Sequence, residues 1–342
     1  MKLATLRKLL FEKSILSFLR LGGETQSLYR SAFATAAGQA GVLGLLHEAP
    51  RDGLAIAQAL QIEPERRHAL LAWLDCGVRI GELELKRERY HLKGRLSRLL
   101  ARPRNEVTAA LFTEVTRYHF DALLQAPTRL REQRPYTLAD QDGELIARSS
   151  RILEPFVEEA IDWAFEQARP RRVLEVGCGA GHYLAYMLRR WPELQLEAID
   201  LQADVVVCAR RHLQEQGLLS KVSIGQADLF ELPLPGAGTP GYDLITLHNN
   251  FYYFDAAQRE ALLDRVAALL APGGRLLMTS SCRGGSPAIA ALHLWWSLSE
   301  RSAGLPERDA LLARLRDAGW RDIRHRRLLP GESYYGFLAE RP

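Results

Sequence analysis

Cysteine is scarce and scattered, with four residues in 342, at Cys76, Cys178, Cys208 and Cys282. No C-x-x-C pair occurs, and no His/Cys cluster has the spacing of a zinc site. Neither a disulfide framework nor a metal centre is expected, and the thiols read as reduced, in a cytoplasmic protein. Long apolar runs are missing too. No uncharged apolar stretch approaches the roughly 18–20 residues that cross a bilayer, so no membrane span is expected. The stretch 1–13 is basic and amphipathic. It lacks a long uncharged centre and a small-residue cleavage site, and does not read as a signal peptide. Charge of one sign is also weak. The net charge is +4, carried mostly by dispersed arginines, which reads as a solvated surface rather than a nucleic-acid track. Internal repeats and low-complexity segments are absent.

What is present is ordinary in bulk and specific in detail. A hydrophobic share of 47% and a charged share of 25% suit a soluble globular chain long enough for about two cores. The informative stretch is Val173-Leu174-Glu175-Val176-Gly177-Cys178-Gly179-Ala180-Gly181-His182. A short apolar run reads as a buried strand, glycines at alternate positions as a tight turn, and 183–188 as a helix. Strand, glycine turn and helix make a nucleotide-type site, because a helix N-terminus presents unpaired N–H groups. The dinucleotide fingerprint G-x-G-x-x-G does not fit, since the spacing is G-x-G-x-G with His182 following. Two later strands also end in acids. Gln195–Asp200 closes on Asp200, and 222–227 runs into Asp228. A carboxylate at the second position can accept from both ribose hydroxyls.

E-x-G-x-G-x-G, followed by acids at the next two strand ends, resembles class I S-adenosylmethionine-dependent methyltransferases. The stretch Leu270-Ala271-Pro272-Gly273-Gly274 before an apolar strand, and two closing strands at 323–329 and 334–340, resemble the same family. The resemblance implies an α/β fold with a Rossmann-like, seven-stranded, mostly parallel sheet and helices on both faces. It implies S-adenosyl-L-methionine as cofactor and S-adenosyl-L-homocysteine as product. The implied cofactor-binding residues are Glu175, Gly177, Cys178, Gly179, Gly181, Asp200, Leu201, Asp228, Leu229, His248 and Asn249. Asp228 would accept from the adenine amino group, and Leu229 would pack on the ring.

Ahead of this domain, two short helices at 54–60 and 63–76 and a charged, alternating stretch at 83–92 read as a winged helix. Its second short helix has two arginines near its start, which leaves DNA binding and dimerisation open. The arrangement resembles the N-terminal dimerisation domain of small-molecule O-methyltransferases, and that reading is preferred. The organisation expected is therefore 1–95 for dimerisation, a helical connector at 96–170 contributing to a substrate pocket, and 171–342 for catalysis. A homodimer acting on a small molecule is expected, with nucleic acid disfavoured as a partner and no membrane partner expected.

The resembled O-methyltransferases carry L-H-D-W-x-D after the fourth strand, its His acting as base. Here the stretch is Phe251-Tyr252-Tyr253-Phe254-Asp255, which has no His, and Tyr252 is taken as its substitute. A phenol with a pKa of about 10 is a poor base at neutral pH but can orient an acceptor. His248 has a better-matched ordinary pKa. His248 and Tyr252 are therefore the catalytic candidates. Tyr118, Asn250, Tyr253, Trp295 and Trp296 are candidates for the substrate pocket, with core packing as the alternative for the aromatic ones. The acceptor atom (O, N, S or C) is left open, O or N being preferred, in specialised metabolism. The rival reading is a winged-helix DNA-binding regulator whose methyltransferase-like domain senses S-adenosylmethionine.

Overall fold

A computed structural model describes residues 2–11, 15–236 and 240–342. The chain divides into two compact units, Met1–Thr116 and Arg117–Pro342.

In the first unit the helices Gly22–Gln39, Val42–Glu48, Gly53–Ala59 and Arg67–Ile80 precede a hairpin of β1 (Leu83–Lys86) and β2 (Arg89–Leu92). Phe33, Leu43, Ile56, Leu74 and Leu83 form its core. The sequence reads as one helix over 27–46. The structure breaks it at Gly41, whose φ of +81° is left-handed and is open to glycine without strain. Gly77 allows close helix packing, because a Cβ there would stand 2.2 Å from Cζ of Phe33. Glu82 is fully buried. It is held by Arg30 Nε at 2.7 Å and by the Ser97 amide at 2.9 Å, so its charge is compensated on both oxygens.

The second unit is a seven-stranded sheet. Its strands are β3 (Arg172–Val176), β4 (Gln195–Asp200), β5 (Val222–Gln226), β6 (Tyr242–His248), β7 (Leu270–Ser281), β8 (Arg321–Arg327) and β9 (Tyr334–Glu340). Their order is β5-β4-β3-β6-β7-β9-β8. The first five run parallel, and β9 pairs antiparallel with β7 and β8. The expected fold class is met. Helices cover both faces. Glu154–Ala168, His182–Arg190 and Ala203–Glu215 pack with Val173, Leu244 and Leu338 on one side. Ala256–Leu269 and Arg308–Asp317 pack with Leu174, Ile245 and Leu276 on the other. Strand order reverses between β3 and β6, which opens a crevice at their carboxyl ends.

Two further readings are corrected here. In the helical connector, where residues 106–124 keep a helical pattern, a π-turn at Val115–His119 interrupts the helix, which continues as Phe120–Glu132 through Pro127. The Ala-Pro-Gly-Gly stretch lies inside β7 as an irregularity after the Tyr242–Leu270 pair, instead of preceding the strand. Gly274 makes that possible, since a Cβ there would lie 2.6 Å from the Tyr242 carbonyl oxygen.

Candidate active site

The glycine turn is set by backbone geometry. Gly177, Gly179 and Gly181 have φ of +72°, +54° and +78°, a region that L side chains resist. The Gly177 and Cys178 amides donate to the Ile199 carbonyl at 2.8 and 3.1 Å, which docks the turn on β4. Asp200 accepts from the Gly179 amide at 3.1 Å through one carboxylate oxygen and from the Gln202 amide at 3.1 Å through the other. Each oxygen keeps a lone pair for a diol. Gly181 caps the helix His182–Arg190.

Glu175 is the anomaly of this end of the sheet. It is 1% exposed, and neither carboxylate oxygen has a hydrogen-bond partner. Burial, reinforced by the charge of Asp200, pushes its pKa up to about 8. A buried carboxyl without donors is costly, and an ammonium group supplied by a ligand would relieve it. Asp228 closes β5's loop by accepting from the Phe230 amide at 2.9 Å. Leu201 is exposed, and Gln226 Nε2 fixes its carbonyl at 3.1 Å. Leu229 is turned into the core instead, and the neighbouring Phe230 is the exposed apolar side chain. Cys178 is buried, and burial raises its thiol pKa, so it offers packing and no thiolate.

Three acids at successive strand ends, one of them buried and unpartnered, and three left-handed glycines fit S-adenosylmethionine. Glu175 would face its ammonium, Asp200 its ribose and Asp228 its adenine.

On the other side of the crevice, His248 ends β6. Its Nδ1 lies 3.0 Å from Thr279 Oγ1, its Nε2 has no partner, and the Tyr183 ring meets it edge-on at 5.0 Å. Burial lowers its pKa to about 3. The ordinary value that made it attractive as a base is therefore lost, and it is a neutral imidazole at physiological pH. Asn249 is left-handed, with φ of +57°, its amide bonded to the Thr279 carbonyl at 2.9 Å and its Oδ1 unpartnered. Asn250 donates from Nδ2 to the Val176 carbonyl at 2.6 Å. That clamp touches the turn itself, because a Cβ on Gly177 would lie 2.7 Å from Asn250 Nδ2.

The aromatic candidates fall into two groups. Tyr252, Tyr253 and Trp296 pack together, with centroid distances of 5.4, 5.3 and 4.3 Å. Trp295 instead stacks on Tyr136 at 3.8 Å and tilts against Tyr118 at 5.6 Å. Tyr118 also accepts from the Asp142 amide at 2.8 Å, and Tyr136 donates to Asp121 at 2.6 Å. Adjacent in sequence, the two tryptophans thus serve different clusters. Tyr183 and Thr279 beside His248, and Tyr334 beside Thr279, are absent from the site candidates of the sequence reading. Tyr183 could have been found, since it follows the glycine turn directly. Thr279 and Tyr334 carry no local signal, and only strand order brings them to β6.

The methyltransferase domain family matches residues 173–274. Demethylspheroidene O-methyltransferase of Cereibacter sphaeroides is 28% identical over 256 residues, covering 72% of this chain and 65% of that protein. The chain thus spans just under two thirds of that relative's length. Among solved structures, mitomycin 7-O-methyltransferase MmcR superposes with a TM-score of 0.73 at 20% identity, covering 99% of this chain and 100% of that one. Human N-acetylserotonin methyltransferase, solved with S-adenosylmethionine, gives 0.68 at 20% identity over 95% and 97%. Residues 173–274 thus match a methyltransferase domain, and the chain shares the fold of these solved methyltransferases.

Proposed function

We propose that the chain is an S-adenosylmethionine-dependent methyltransferase acting on a small-molecule acceptor, with a hydroxyl as the preferred acceptor group. The observation that carries this is Glu175, an unpartnered buried carboxyl at the end of the strand that feeds the glycine turn. The relatives that methylate demethylspheroidene and mitomycin point to hydroxylated products of specialised metabolism. When bound, the cofactor supplies a methyl group already activated by a sulfonium. The protein's work is then alignment and exclusion of water. The Gly179 region and Asp200 fix the ribose end, and Glu175 fixes the amino-acid end. His248 and Asn249 border the methyl on the β6 side, and Tyr252, Tyr253 and Trp296 border the acceptor. In this reading Tyr252 orients the acceptor and His248 offers a neutral hydrogen-bonding nitrogen. Residues 1–95 form the dimer contact.

The test is isothermal titration with S-adenosylhomocysteine. Wild-type protein binds it, and Glu175→Gln, which loses the charge opposite the ammonium, binds it at least tenfold more weakly. A wild-type chain that binds neither this product nor S-adenosylmethionine overturns the reading.

A further inference from the structure

The unpartnered buried polar atoms at this end of the sheet do not all belong to the cofactor. Glu175 lies on β3, beside the acids of β4 and β5. Tyr334 opens β9, on the opposite side of β6, where it pairs in register with Ser281. Its side chain is 1% exposed, and its hydroxyl lies near Thr279 and Asn249 without reaching hydrogen-bond geometry with either. Thr279 and Asn249 are the polar side chains that face it. Thr279 is also the residue that holds His248 Nδ1, which leaves His248 Nε2 unpartnered. Two orphaned atoms, Tyr334 Oη and His248 Nε2, therefore flank one threonine at the ends of β6, β7 and β9. A buried hydroxyl without a well-placed partner is costly, and a polar group brought by a ligand removes that penalty. The strand order places the ribose and adenine acids away from β9, so that ligand group belongs to the acceptor.

The geometry points to Tyr334 as a catalytic residue: its hydroxyl donates a hydrogen bond to the acceptor oxygen and favours the deprotonated acceptor. The inference rests on the methyltransferase reading. It answers the question left by the missing family histidine, since Phe251 stands four residues before Asp255. Tyr334 does not take the proton. The acceptor's O–H proton leaves to solvent, and its electron pair stays on oxygen. That oxygen forms the new C–O bond as the C–S bond breaks and its pair returns to sulfur. The titratable side chain that faces Tyr334 is Tyr183 on the helix after the turn, and Tyr183 in turn meets His248 on β6, Glu175 on β3, and Glu154 and Glu158 on the helix Glu154–Ala168. None of these is a cation. A hydroxyl donor is thus what the protein offers to an oxyanion, alongside the positive charge of the bound sulfonium.

The experiment uses 4-nitrophenol as a coloured acceptor surrogate, titrated by absorbance with the full chain saturated by S-adenosylhomocysteine. In the wild type, the bound phenol ionises about one pH unit or more below the free compound, the shift a charge-assisted hydrogen bond supplies. Tyr334→Phe keeps the ring, and so the packing. It retains S-adenosylhomocysteine affinity but loses the shift. A wild type that binds S-adenosylhomocysteine yet leaves the nitrophenol titration unmoved overturns the inference while the methyltransferase reading stands. So does a Tyr334→Phe variant that keeps the shift, or one that loses S-adenosylhomocysteine affinity instead. Failure of the wild type to bind S-adenosylhomocysteine at all is failure of the underlying reading.

Discussion

Glu175 couples the cofactor site to stability through its proton. Its ordinary pKa of 4.5 rises to about 8 in the folded chain. Between these values the native state holds a proton that the unfolded chain has released. Unliganded stability is therefore highest below about pH 4.5 with respect to this group, and falls as pH rises toward 8. The loss is on the order of a few kcal/mol, because each pKa unit is worth about 1.4 kcal/mol. Thermal unfolding of wild type and Glu175→Gln from pH 5 to 8 should show the variant's relative stability increasing with pH. Saturation with S-adenosylhomocysteine should flatten the difference. A constant difference across that range would mean the carboxyl has a donor after all. His248 shows the same physics with the opposite sign. Its ordinary pKa advertised a base, yet no residue-level pattern could announce that β6 would bury it fully.

At the scale of elements, packing was decided by single glycines that the periodicity could not rank. Gly77 sits mid-helix, where glycine costs about 1 kcal/mol in helix propensity relative to alanine. The structure explains it by Phe33, whose ring atoms would stand 2.2 to 2.8 Å from an added Cβ. Overpacking outweighs propensity here. Gly77→Ala is expected to lower the stability of the first unit by about 1–3 kcal/mol, read by urea denaturation of the full chain. A stabilised variant would show that the Phe33 ring moves aside freely. The sheet tells a complementary story. The glycine turn, Asp200 and Asp228 could be read in advance because each lies within a few residues of a strand end. Tyr334 could not, because an antiparallel β9 slots between β7 and β8 and delivers it from far along the chain. The break at Gly41 and the π-turn at Val115–His119 were hidden for a related reason, since the residues on both sides keep a helical pattern.

For the whole molecule, the proposed dimer makes a further demand on the first unit. Leu28 is 56% exposed, Tyr29 60% and Leu71 44%. Single exposed apolar residues are normal, so the measurement must decide whether these are covered. Native mass spectrometry at micromolar concentration is expected to give a two-chain mass, and Tyr29→Glu to shift it to one chain. A wild type that stays single would remove dimerisation as the role of 1–95. No helix among the described residues is long and apolar enough to cross a membrane.

The Asn250 clamp has a consequence for how such a chain can change over generations. One amide group fastens the end of β6 to Val176, and it stands where any side chain at 177 would have to go. The two positions thus form a single heritable character. A side chain at 177 is opposed twice, by the left-handed backbone and by the Asn250 amide, and shrinking 250 alone releases the carbonyl that anchors the turn. Change at 177 is thus barred by the backbone even after 250 has shrunk, so drift at 250 loosens the turn without opening a path for 177.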